Sequence, residues 1–286
     1  MAQALYSPLQ ADPVSETALA AAGQPRPFIV RSELAQALAL RTSFERFELK
    51  YWIQERQAGR ILAFAEPYVR RDPYGATRDS QRNTTLYLDT RGYRFCEDHL
   101  AVSPDRRKLR IRVYGRPLGE LAFFEVKRKI KTVTVKDRFA LPIGEVANVL
   151  RRRPVGSALS QADRRTLSDF AFHLAAHRAE PKLYVACFRE AFDSRVPDED
   201  VRLTIDRELA YQDSRAPEFT PDERRWLPIR EGEDARPAFG QRRVMLELKF
   251  NGRPPAWMVE LVKLFSLQRE AFSKYTTAAL QLRGRS

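Results

Sequence analysis

The 286-residue chain carries 50 Lys and Arg against 37 Asp and Glu, for a formal net charge of +13 and a pI near 10.0. That balance points to a polyanionic partner: nucleic acid, anionic lipid headgroups or phosphate chains. Cys96 and Cys187 are the only cysteines, each inside a segment that reads as packed structure, which argues against a disulfide framework and for a reducing compartment, with the cytoplasm as default. No run approaches the ~18 apolar residues of a membrane span, and the N-terminus lacks a basic segment followed by an apolar one, so neither a transmembrane helix nor a signal peptide is expected.

Residues 1–41 read as a flexible leader, with Pro13, Pro25 and Pro27 interrupting any period and a short helix expected from Ser32 to Leu40. One domain is expected over 42–282, followed by a tail at 283–286. Its first strand runs from Phe44 to Ile53, then a helix from Glu55 to Tyr68 puts Ile61, Leu62 and Ala65 on one face. Asp72-Pro73 and Gly75 mark Arg70–Arg82 as a loop, and Thr84–Asp89 alternates as a strand. A connection through Tyr93 and Phe95 leads into Lys108–Arg138. There Lys108, Arg110 and Arg112 alternate with Leu109, Ile111 and Val113. After the Gly115–Gly119 turn, Glu125, Lys127 and Lys129 stand against Phe124, Val126 and Ile130, then Lys136 and Arg138 against Val135 and Phe139. The period of two predicts three strands with one basic face.

Helical periodicity follows from Ile143 to Arg152 and from Gln161 to Arg178, the second gathering Leu167, Phe170, Ala171 and Leu174. Strands are expected at Lys182–Phe192 and Val201–Leu209, joined by a turn around Pro197–Asp200. An irregular Pro-rich loop from Tyr211 to Gln241 has Trp226 as its main apolar feature. A last strand, Val244–Phe250, ends at Asn251-Gly252, before helices at Pro255–Phe265 and Glu270–Leu282.

The charged alternation recurs at Arg46, Glu48 and Lys50, at Arg202, Thr204 and Asp206, and at Glu247 and Lys249. Antiparallel strands ordinarily turn such sides to water. These sides, however, are dense in Arg and Lys, whose repulsion needs an anionic partner or interleaved carboxylates. The charged faces are therefore read as converging on a ligand. Arg110, Arg112, Arg189 and Arg202 can grip phosphate oxygens in forks, with Lys50, Lys127, Lys136, Lys249 and Lys274 as point charges. Exposed ion pairs contribute only about 0–1 kcal/mol each, which gives little structural reason for the concentration. Glu48 reads as a neutraliser of lysines. Glu247 is the strongest divalent-metal candidate, because Mg²⁺ at phosphate sites uses one or two carboxylates and completes its shell with substrate oxygens and water. His173 and His177 have zinc-like i, i+4 spacing, but no Glu follows His173, so a solvated helix face is preferred. There is no Walker loop, dinucleotide-binding glycine pattern or G-x-S-x-G elbow.

RFELKY (46–51), YLDT (87–90), RIRVYG (110–115), FEVKRK (124–129), KDRF (136–139), FREAF (188–192), VRLTID (201–206), LELK (246–249) and SKY (273–275) resemble, in order, the VTC domain of polyphosphate polymerases. That domain belongs to the CYTH-like triphosphate tunnel metalloenzymes, and the resemblance covers about residues 42–280. It implies an α+β fold built on an antiparallel β-barrel with a charged lumen and flanking helices. It implies phosphate binding and catalysis by Lys50, Arg110, Arg112, Lys127, Lys136, Arg189, Arg202 and Lys274, with Lys249 also at the substrate. Mn²⁺ or Mg²⁺ would sit on Glu247, with Glu125 as the second acidic candidate. The implied activity is transfer of the γ-phosphoryl group of ATP to a growing polyphosphate chain. CYTH-type hydrolases carry E-x-E-x-K in the first strand, whereas Arg46 stands at the first acidic position here, favouring the polymerase. A triphosphatase using the same tunnel and a non-catalytic polyphosphate-binding module stay open. Nucleic acid is disfavoured, since Phe47, Phe124 and Phe250 fall opposite the cations. Fungal polymerase subunits add a membrane region, so a membrane-protein partner is conceivable.

Overall fold

The computed structural model describes residues 46–73, 82–130, 133–197, 199–230 and 242–284. The leader and the helix expected at Ser32–Leu40 lie outside the described residues. Ten strands form one sheet: β1 (Arg46–Gln54), β2 (Val69–Arg71), β3 (Arg82–Asp89), β4 (Asp105–Tyr114), β5 (Leu121–Ile130), β6 (Val133–Pro142), β7 (Glu180–Ser194), β8 (Arg202–Asp213), β9 (Leu227–Pro228) and β10 (Arg243–Asn251). The helices are α1 (Glu55–Ala65), α2 (Arg94–Leu100), α3 (Val146–Leu150), α4 (Gln161–Ala176), α5 (Ala256–Leu264) and α6 (Lys274–Arg283).

The sheet runs β1-β10-β8-β7-β3-β4-β5-β6, with β2 on β7 and β9 on β8, and all its pairings are antiparallel. Its aliphatic rows face outward onto helices. Tyr51, Ile53, Leu203, Leu246 and Leu248 pack with Ala58, Ile61 and Ala65 of α1 and with Trp257, Met258 and Leu261 of α5. Leu109, Ile111, Val113, Phe124, Val126 and Phe139 pack with Val146 and Val149 of α3 and Phe170 and Leu174 of α4. The period of two then forces Lys, Arg and Glu onto the concave side.

The expected barrel needs correction. Among the described residues the edge strands β1 and β6 are not hydrogen-bonded to each other, so the ladder is open. The sheet nonetheless curls: Lys127 of β5 brings its Nζ within 4.0 Å of Glu48 Oε2 on β1. The physical reason for the open ladder lies in the segment between α5 and α6. Glu270 N–H donates to the Lys50 carbonyl at 3.0 Å, taking up an edge acceptor of β1. Lys50 Nζ donates to the Phe272 carbonyl at 2.9 Å, and Lys108 Nζ to Ser273 Oγ at 2.9 Å. Residues 270–273 thus strap β1 to β4 by side chains and one backbone bond.

The strap ends in α6, which closes one end of the concave face. Tyr275, Ala278 and Ala279 pack against Tyr87, Leu183, Val185, Cys187, Tyr211 and Met245, with Trp52 and Phe272 beside them. Buried Asp89 fixes this end: its carboxylate accepts from Tyr275 Oη at 2.5 Å and from the N–H groups of Thr90, Phe95 and Cys96. Helix α2, expected only as a connection, starts on that carboxylate.

Candidate functional site

On the basic hairpins the registers place inward side chains in tiers, since directly opposed residues share a face. Lys108, Lys127 and Lys136 form one tier, Arg110, Glu125 and Arg138 the next, and Arg112, Phe123 and Ala140 the third, with Tyr114 beyond. Glu125 is wholly buried. Arg110 Nε donates to its Oε2 at 2.5 Å, Lys136 Nζ lies 2.7 Å from Oε1 and Arg138 Nε 3.6 Å from Oε1. Burial pushes this carboxyl up, but Arg110, Arg112, Lys136 and Arg138 hold it well below the usual range. Arg110 also donates to Tyr87 Oη at 3.4 Å, and Arg112 Nε to Thr85 Oγ1 at 3.2 Å.

The facing wall is built from β7, β8, β10, β1 and the first turn of α6. A register shift in β7 between Ala186 and Phe188 sets Arg189 opposite Asp206. Arg189 forks onto that carboxylate, with Nε 2.5 Å from Oδ1 and Nη2 2.6 Å from Oδ2, and reaches Glu247 Oε2 at 3.2 Å. Lys274 Nζ sits between Asp206 Oδ2 at 2.6 Å and Glu247 Oε1 at 2.7 Å. Lys249 Nζ lies 2.9 Å from Glu247 Oε2, and Lys50 Nζ 3.1 Å from Glu48 Oε1. Glu48 therefore does neutralise lysines, Lys50 directly and Lys127 across the lumen.

These charges are unevenly compensated. Asp206 and Glu247 outweigh burial and hold the Lys274 ammonium above its ordinary range. Lys108 has the opposite surroundings: burial first, then Lys50, Lys127 and Arg110, push it well below the lysine range. Burial and neighbouring guanidinia bring Lys136 down to about 7, and burial likewise depresses Lys127 and Lys249. The cavity holds positive charge beyond what its carboxylates offset.

Of the residues predicted from sequence, Lys50, Arg110, Arg112, Lys127, Lys136, Arg189, Lys249 and Lys274 line this lumen. Arg202 shares the face but stands apart. It donates to Asp72 Oδ2 at 2.5 Å and Asp193 Oδ1 at 3.1 Å, with 35% of its side chain exposed. Glu125 and Glu247 bind different cations. Lys108, Arg138 and Asp206, absent from the predicted set, belong to the lumen, and their alternation with Leu109, Phe139 and Ile205 carried the same signal. His173 is buried against Asp169, 3.8 Å away, and its ring lies 5.8 Å from that of His177. It is a packed residue where a solvated face was expected.

Among the described residues, no three His, Cys, Asp or Glu side chains gather as a metal cage. A metal held here would take most of its ligands from phosphate oxygens and water, the habit of Mg²⁺ at phosphate sites. Glu247 fits that demand: with Asp206 it already holds one cation, the Lys274 ammonium, between two carboxylate oxygens.

Among the described residues no helix is long and apolar enough to cross a membrane. No curated protein matches the chain. Among solved structures it is similar to a Bacillus halodurans protein described as a "putative adenylate cyclase", at 13% identity and a TM-score of 0.43, covering 80% of this chain and 95% of that one. That likeness is too distant to bear on activity. The family model for the VTC domain matches residues 45–283, from the start of β1 to the end of α6, and by that match the chain belongs to the VTC-domain family.

Proposed function

We propose that the protein is a metal-dependent polyphosphate polymerase, transferring the γ-phosphoryl group of ATP to the end of a polyphosphate chain. The observation that supports this most is the tier of Lys108, Lys127 and Lys136 beside Arg110, Arg112 and Arg138, facing Lys50, Arg189, Lys249 and Lys274. A half-buried cationic wall with too few carboxylates is stabilised by a chain of phosphates. Phosphoryl transfer asks for positioning and charge stabilisation more than covalent chemistry. The attacking terminal phosphate oxygen is already anionic, so no general base is required.

In this reading Arg110, Arg112, Lys127 and Lys136 hold phosphate oxygens along one wall, and Lys50, Arg189, Lys249 and Lys274 along the other. Arg202 meets the chain at its outer end. Glu247 would hold Mn²⁺ or Mg²⁺, which would supply Lewis-acid charge on phosphoryl oxygens. Glu125, enclosed by Arg110, Lys136 and Arg138, fits a counter-charge that sets guanidinium geometry better than it fits a metal. The apolar packing of Tyr275, Ala278 and Ala279 at the closed end keeps water from one side of the reacting phosphates, favouring transfer over hydrolysis.

Incubating the purified chain with ATP and Mn²⁺ or Mg²⁺ and resolving the products by gel tests this reading. Growing chains are expected. Release of phosphate without chain growth would make the protein a triphosphatase, and tight polyphosphate binding without ATP consumption would make it a binding module.

A further inference from the structure

The inward tiers of β4, β5 and β6 change chemistry along their length. Next to the strap and α6 they are ammonium groups, then guanidinia around Glu125, then Arg112, Phe123 and Ala140, and finally Tyr114. Phe123 and Tyr114 are only half-buried, whereas their outward neighbours Ala122, Phe124 and Val113 are wholly buried in the α3–α4 core. The two inward rings meet edge to face, with centroids 5.4 Å apart and planes at 69°. The Arg138 guanidinium lies 3.9 Å above the Phe123 ring and donates to Tyr114 Oη at 3.3 Å, and the Arg112 guanidinium lies 5.9 Å from the Tyr114 ring. Across β5 from Arg112, on β6, the residue opposed to Phe123 is Ala140, a small side chain in place of a further cation.

A plain phosphate chain offers nothing to an aromatic ring, and a lumen built only for such a chain would continue its cations to the rim. A nucleoside triphosphate has the matching order: phosphates, then sugar, then a flat base that stacks on rings and guanidinium planes. From Arg110 to Tyr114 the strand advances about 13 Å, enough to separate a phosphate subsite from a base subsite. We propose that Phe123, Tyr114 and Arg138 form a nucleobase-stacking subsite at the open rim, which distinguishes a nucleoside triphosphate from inorganic polyphosphate. This rests on the reading that the cationic tiers hold phosphates.

The test compares ATP with inorganic tripolyphosphate by titration calorimetry at fixed salt, in the parent and in Phe123→Ala and Phe123→Leu. The leucine variant keeps apolar volume while removing the π face. Both variants are expected to lose about tenfold in ATP affinity and less than twofold for tripolyphosphate, which also reports that the lumen is folded. Equal losses for the two ligands, or no loss for either in the leucine variant, would overturn the base subsite while leaving the phosphate site standing. A parent protein that binds neither ligand would overturn both.

Discussion

Replacing Glu247 by Gln puts the charge balance of the lumen to a quantitative test. Glu247 is 2% exposed and contacts Lys274 at 2.7 Å, Lys249 at 2.9 Å and Arg189 at 3.2 Å. Breaking a buried ion pair costs roughly 3–5 kcal/mol. Two features reduce that figure: the amide oxygen can still accept one charge-assisted hydrogen bond, worth about 1.5 kcal/mol, and Asp206 keeps both Arg189 and Lys274. A net loss of roughly 2–3 kcal/mol remains, which for a domain of this size lowers Tm by roughly 4–12 °C. Tripolyphosphate should then act more strongly on the variant, because it enters a cavity with one more uncompensated positive charge. Thermal melts in EDTA, with and without tripolyphosphate, read both effects without any metal. An unchanged Tm, or an equal ligand-induced rise in parent and variant, would refute the claim that Glu247 balances the lumen cations. Loss of ATP-dependent chain growth with Mn²⁺ in the same variant is the separate expectation for its role at the metal.

Lys136 gives a pH dependence with a definite sign. Its folded value of about 7 lies below the ordinary lysine value of 10.5, so between these the unfolded chain binds more protons, and this group makes the ligand-free protein more stable as pH rises. Tripolyphosphate needs the ammonium, so its affinity should fall as pH rises through 7, and Lys136→Arg should flatten that profile in calorimetric titrations. Arg110→Ala removes the guanidinium closest to the buried Glu125, and should cost about 3–5 kcal/mol in denaturant unfolding as well as weakening phosphate binding. Arg202→Ala, where the arginine is partly exposed but its partner Asp72 is buried, should cost less than Arg110→Ala on the same unfolding curve.

The outward rows were legible because period-two alternation is a local signal. Leu109, Ile111 and Val113 could be assigned to a core, and Arg110 and Arg112 to the other face, without knowing the partner strands. Ion-pair partners were not legible, because they depend on register between distant segments. Arg189 meets Asp206 only through the shift in β7, and Arg202 is drawn aside by Asp72, 130 residues away in sequence. Helix α2 was missed for a related reason. Tyr93 and Phe95 show no helical period, and the helix starts on the carboxylate of Asp89, a tertiary feature with no short-range signature. The open ladder was likewise hidden, since nothing in residues 270–273 announces that a backbone N–H will meet the Lys50 carbonyl. Arg138 and Lys108 are a different kind of omission: both alternate with core residues and were visible as lumen groups, but the family motifs gave them no role.

The turn Ser273-Lys274-Tyr275 ties these features together mechanically. Ser273 accepts from Lys108 of β4, Lys274 bridges Asp206 of β8 and Glu247 of β10, and Tyr275 donates to Asp89 of β3. Three adjacent residues thus set the relative positions of four strands and the plug that closes the lumen. The same contacts leave the two walls in different electrostatic states. Lys274 is already satisfied by two carboxylates, so a phosphate oxygen reaching it must compete with Asp206 and Glu247. Lys108 donates to the Ser273 hydroxyl and faces Lys50 and Lys127, with Glu48 as a weaker opposing charge, so an anion beside it removes repulsion. If the lumen takes phosphates as proposed, the binding free energy is concentrated on the β4–β6 wall, where the tiers run toward Phe123 and Tyr114. On the same reading, a phosphate reaching the Glu247 wall has to displace carboxylate partners already in place, so that wall adds little to affinity and serves instead to hold fixed charge in position.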